Sequence, residues 1–94
     1  MKVRYTPRAA TDLKDIYGYL DERSPKSARH IEQLIRRLVD GLVDFPEAGR
    51  ATDLAGVRGL LAGRFPYLIL YRVRQNEIHI LHIRHTSRDR WRGE

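Results

Sequence analysis

The sequence contains no cysteine. That excludes a disulfide framework and any thiolate metal site, and it suits a reducing, cytoplasmic setting. No apolar run approaches the roughly 20 residues that a membrane-spanning helix needs. Met1-Lys2-Val3-Arg4-Tyr5 has none of the hydrophobic character of a signal peptide. No His pair stands at helical ligand spacing with a carboxylate, so neither a metal nor another cofactor is expected. Repeats, low-complexity segments and linkers are also missing. Lysine is scarce: Lys2, Lys14 and Lys26 are the only three, all in the first half. At 94 residues the chain fits one small domain and leaves no room for two.

What the chain does have is arginine. Residues 1–47 hold nine basic and eight acidic side chains, a balance of +1. Residues 48–94 hold nine arginines against four acids, a balance of +5. Arginine suits bidentate recognition of carboxylate and phosphate. The basic half therefore points to an anionic partner, either nucleic acid or an acidic protein.

The pattern reads as a strand, two helices and three strands. Lys2–Tyr5 alternates as a short strand. Thr6-Pro7 supplies an N-cap and a proline at the first helical position. Ala9, Leu13, Ile16, Tyr17 and Leu20 then recur at helical spacing. Asp12 and Asp15 fall early in this helix, where they complement its dipole. Asp21–Arg23 is a polar break, and Ser24-Pro25 repeats the start signal. Ala28, Ile31, Ile35, Leu38, Leu42 and Phe45 form the seam of a second helix, which Pro46 ends. This helix hairpin is expected to supply most of the core. Residues 47–55 read as a loop, Val57–Leu61 as a short strand and Ala62–Pro66 as a turn. Tyr67–Arg74 and Glu77–Arg84 read as a hairpin about Gln75-Asn76. Ser87–Arg92 reads as a last helical turn. The fold class is α+β, in the order β-α-α-β-β-β.

A two-residue turn sets Arg74 against Glu77, Val73 against Ile78 and Tyr71 against Ile80. Strict alternation then places Tyr67, Ile69, Tyr71, Val73, Ile78, Ile80, His82 and Arg84 on one face. Leu68, Leu70, Arg72, Arg74, Glu77, His79, Leu81 and Ile83 share the other. The helices can cover one face, so the second is expected to leave Leu and Ile partly in water for a partner. His30 and His79 read as solvated.

The chain carries, in order, Pro7-Arg8-Ala9-x-x-Asp12-Leu13-x-Asp15-Ile16-Tyr17-x-Tyr19-Leu20, Phe45-Pro46-x-x-Gly49-Arg50, Val57-Arg58, Pro66-Tyr67-x-Ile69-x-Tyr71-x-Val73, Ile78-x-Ile80-Leu81-x-Ile83-x-His85 and Arg88-Asp89. Together these segments resemble the ParE/RelE family, the toxins of type II toxin–antitoxin pairs. The resemblance spans nearly the whole chain in order. It implies a single toxin domain over residues 1–94, a role such as plasmid stabilization, and a small antitoxin whose C-terminal segment wraps the toxin. Leu68, Leu70, Arg72, Leu81 and Ile83 are the residues expected to meet that antitoxin.

The resemblance also implies a choice of target. RelE-like members cut messenger RNA on the ribosome, with cationic and proton-transferring side chains on the sheet. This sequence has Gly59 and Leu61 where lysines belong, and Leu68 where an arginine follows the tyrosine. It has no tyrosine beyond Tyr71. These departures resemble the ParE-like branch, which poisons DNA gyrase without cutting RNA. Arg58, Arg64, Arg84, His85 and Arg88 would then form a target-binding surface. The ribonuclease alternative would draw on His82, His85, Arg58 and Arg64.

Overall fold

Two hydroxyl residues start the helices. The Thr6 side chain accepts the Ala9 N–H at 3.1 Å and begins α1, Pro7–Arg23. Ser24 closes α1 with its N–H on the Leu20 carbonyl at 2.7 Å. Its hydroxyl accepts the Ser27 N–H at 3.2 Å and opens α2, Pro25–Asp44. One residue is thus the whole connection, which makes the two helices antiparallel neighbours. The expected polar break at Asp21–Arg23 is instead the last turn of α1. There the Arg23 guanidinium lies 3.6 Å from the Tyr19 ring centre and donates to the Tyr19 carbonyl.

The computed structural model describes residues 1–87. Its strands are β1 Lys2–Tyr5, β2 Arg50–Ala51, β3 Arg58–Leu61, β4 Tyr67–Arg74 and β5 Glu77–His85. They form one sheet in the order β1-β5-β4-β3-β2. β1 runs parallel to β5, and the other pairs are antiparallel. The two-residue β2 lies within the segment expected to be a loop. Gln75 and Asn76 take left-handed φ values of 53° and 59°, as a tight hairpin turn requires.

The hairpin register agrees with expectation only up to Tyr71. Arg74, Val73 and Tyr71 oppose Glu77, Ile78 and Ile80. A β-bulge then intervenes, and Leu70, Ile69, Leu68 and Tyr67 oppose His82, Ile83, Arg84 and His85. The extra residue reverses the alternation. Ile83 moves into the core beside Ile69, and Arg84 moves to the side of Leu68.

The core lies between the helices and one sheet face. Ile31, Ile35, Val39 and Leu42 of α2 meet Tyr67, Ile69, Tyr71, Ile78, Ile80 and Ile83, with Ala9 the buried residue of α1. The sheet therefore supplies as much of the core as the helices do. Val39 takes a place in the buried seam, Leu38 is only partly buried, and Phe45 is 70% exposed. Among the described residues, no helix is long and apolar enough to cross a membrane.

Candidate functional site

The sheet face away from the helices gathers the basic residues. Registered partners share a face, so Lys2, Arg4, Arg50, Arg72, Arg74 and Arg84 stand there together with Glu77 and His79. Glu77 is the single acid among them. It accepts from Arg4 Nε at 2.8 Å and from His79 Nε2 at 3.0 Å. The His79 bond, then the Arg4 bond, hold its carboxyl below the ordinary value of 4.5. His79 is therefore engaged rather than simply solvated. Across the strand, the Nε atoms of Arg72 and Arg84 are buried with no hydrogen-bond partner among the described residues.

Between these cations lies an apolar patch. Leu61 is 58% exposed and pairs with Leu68. Leu68 leans over Gly59, where an added Cβ would stand 3.1 Å from its Cδ1. Gly59, Leu61 and Leu68 are thus one contiguous surface, with Arg84 opposite Leu68. Leu81 is half-buried in the bulge. Two residues expected at an antitoxin surface are buried: Ile83 is 1% exposed and Leu70 is 4% exposed. The bulge accounts for Ile83, which strict alternation had placed on the outer face.

His82 is 1% exposed. Its Nδ1 donates to Asp12 Oδ2 at 2.5 Å, and the same oxygen accepts the Ile83 N–H at 3.0 Å. Arg8 Nε donates to the other oxygen at 3.3 Å. Asp12 thus serves the bulge instead of the helix dipole. His82 is thus enclosed and held in place by Asp12.

The remaining predicted residues divide between two places. Tyr67 pairs with His85, their rings meeting edge to face at 5.5 Å. The His85 Nδ1 accepts from the Ser87 N–H and hydroxyl, which leaves the ring proton of the neutral form on Nε2. The Thr86 N–H donates to the Pro66 carbonyl, so the turn carrying exposed Arg64 lies at this same end of the sheet. Arg84 is adjacent. Arg58 is not, because it opposes Tyr71, four residues or about 13 Å along β4. Its Nη1 donates to the Gly49 carbonyl at 2.8 Å. Arg88, and all but Ser87 of the final helical turn expected at Ser87–Arg92, lie outside the described residues.

The sequence reading missed what holds the loop after α2. The Tyr71 hydroxyl donates to the Pro46 carbonyl and accepts the Gly49 N–H, both at 2.8 Å. A Cβ on Gly49 would stand 2.7 Å from Tyr71 Cε1. The spacing Phe45-Pro46-x-x-Gly49 followed by Tyr71 was the available signal. Among the described residues no cluster of three or more His, Asp or Glu could hold a metal ion.

Comparison with known proteins places this architecture. Toxin RelE2 of Caulobacter vibrioides is 36% identical over 87 residues, covering 93% of this chain and 97% of the relative. Toxin RelE1 of the same organism is 27% identical over 84 residues, covering 88% and 90%. A solved chain of the chromosomal ParDE TA system from P. aeruginosa superposes with a TM-score of 0.81 at 34% identity, covering 93% of this chain and 97% of that one. The family model described as ParE toxin of type II toxin-antitoxin system, parDE, matches residues 3–90. With its helix hairpin on an arginine-faced sheet, the chain belongs to the ParE toxin family of type II toxin–antitoxin systems.

Proposed function

We propose that this toxin inhibits DNA gyrase without cutting RNA, and that a cognate antitoxin neutralises it by covering the outer sheet face. The observation that supports the first half is the patch of Gly59, Leu61 and Leu68. RNA cleavage needs groups there that stabilise a crowded phosphate and move protons. Two leucines and a glycine supply neither. Arg64, Arg84 and His85 act as an adhesive end of the sheet, with charge-assisted bonds to the target or its DNA. Leu68, Arg72 and Leu81 receive the antitoxin.

A second reading draws on the relatives that carry the RelE name and on His85, half-buried beside Arg84. In it the chain is a ribosome-dependent messenger RNA endonuclease, and His85 exchanges the proton.

Two assays separate the readings: supercoiling by purified gyrase, and primer extension on translated messenger RNA. The expected result is loss of supercoiling with intact message. Codon-positioned cleavage that vanishes in His85→Ala, with supercoiling untouched, selects the nuclease.

A further inference from the structure

Phe45 breaks its own helix pattern. It falls in register with the buried seam of α2, yet it points into solvent. It is the C-cap of α2, with its N–H on the Gly41 carbonyl. The chain after it is held by buried anchors. Tyr71, fully enclosed, bonds Pro46 and Gly49, and Arg58 bonds Gly49 again. A large aromatic side chain is therefore presented on a fixed support.

The surroundings match that presentation. A concavity of about 530 Å³ is lined by Asp44, Phe45, Pro46, Glu47 and Ala48. A second, of about 240 Å³, shares Pro46 and Glu47 with it and is also lined by Gly56, Arg58 and Val73, the last of these exposed. Two of the residues around Phe45 are carboxylates, in a chain of net charge +6. The rim of the first concavity, with Asp44 and Glu47 and no cation in its lining, is thus opposite in sign to the arginine face of the sheet. It repels an acidic segment and attracts a basic one.

We propose that the Phe45 platform docks the toxin's cellular target, through a segment that carries an apolar side chain beside Lys or Arg. The proposal rests on the toxin reading above and adds to it a target contact next to Arg58, separate from the antitoxin face. Phe45 is the anchor: a rigid aromatic beside a cavity, ringed by polar groups, is the form that binding hot spots take. Asp44 and Glu47 select the charge of the partner.

The test separates target engagement from antitoxin binding. Wild type, Phe45→Ala and the double variant Asp44→Lys/Glu47→Lys are expressed for growth arrest, and each is purified with the antitoxin encoded beside it. Because the changed side chains are exposed, melting temperatures stay within about 4 °C. Both variants are expected to need more than about tenfold more protein to arrest growth. Both still bind the antitoxin as wild type does. Equal arrest by wild type and Phe45→Ala overturns the proposal, as does a wild-type chain that arrests nothing. Loss of antitoxin binding along with arrest also overturns it, because Phe45 then belongs to the antitoxin surface. The gyrase reading fails separately, if wild type arrests growth while supercoiling by purified gyrase is unaffected.

Discussion

A single missing atom decides the packing at Gly49. At Gly49 there is no space for a methyl group, because Tyr71 Cε1 and its hydroxyl would lie 2.7 and 2.8 Å from it and the Gly59 carbonyl 3.0 Å away. Tyr71 cannot swing aside, since it is fully buried and its hydroxyl is engaged on both sides. Gly49→Ala is therefore expected to cost about 1–3 kcal/mol, the range for forcing volume into a packed site. Urea unfolding would show this as a lower midpoint with an unchanged slope. Tyr17 offers a second test. Burial, followed by the Glu32 and Tyr5 charges, pushes its phenol from 10.0 up to about 12. A raised folded value means that the neutral phenol is favoured in the native state. Its contribution is complete below pH 10 and is lost as pH rises toward 12. Absorbance titration of the phenolates should lose a high-pH component in Tyr17→Phe, and that variant should show a shallower alkaline loss of stability.

At the level of elements, the bulge in β5 is the decisive feature, and Asp12 holds it. Thr6 adds two bonds from the start of α1, one to the Ile80 carbonyl and one to the Leu81 carbonyl. Asp12→Ala takes the acceptor from His82 Nδ1 and from the Ile83 N–H. Leaving a buried donor unsatisfied costs about 1–3 kcal/mol, so a loss in the upper part of that range is expected. Ile35→Ala, a cavity in the α2 seam, should cost about 2–5 kcal/mol, and calorimetric unfolding can rank the two. These cases also show why the fold was largely legible and the site only in part. Capping residues act locally, so Thr6-Pro7 and Ser24-Pro25 announced both helices. The hairpin register followed from the turn as far as Tyr71. Beyond it, the stabilising partner of the bulge is Asp12, 70 residues away from His82 in sequence. Nothing local to Leu81 records that contact. Strict alternation therefore assigned Ile83 and Arg84 to the wrong faces. Phe45 escaped for a related reason: helical spacing states which positions align, not where the sheet beneath them ends.

Across the whole molecule, folding sorts the charge that the sequence only tallies. Four arginines of the second half, Arg50, Arg72, Arg74 and Arg84, gather with Lys2 and Arg4 on one sheet face, because registered partners from five strands stand side by side there. Glu77 neutralises the Arg4 and His79 corner, whereas Arg72 and Arg84 keep buried Nε atoms with no partner among the described residues. An antitoxin that brings carboxylates to these two arginines replaces missing bonds, and its apolar side chains can cover Leu61 and Leu68. Reversing the charge should therefore matter more here than on the helices. Arg72→Glu and Arg84→Glu are each expected to weaken the toxin–antitoxin complex by about 2 kcal/mol or more, the range for losing one partner of a desolvated charge pair. Lys26→Glu, exposed in the first turn of α2, should change affinity by less than about 0.5 kcal/mol. Titration calorimetry at low and high salt reads both effects. Screening should narrow the difference between wild type and Arg72→Glu only slightly, because a buried pair is shielded from ions. Equal affinities for all three variants would move the antitoxin off the sheet. A difference abolished by salt would instead reduce the arginines to long-range steering of an antitoxin that binds elsewhere.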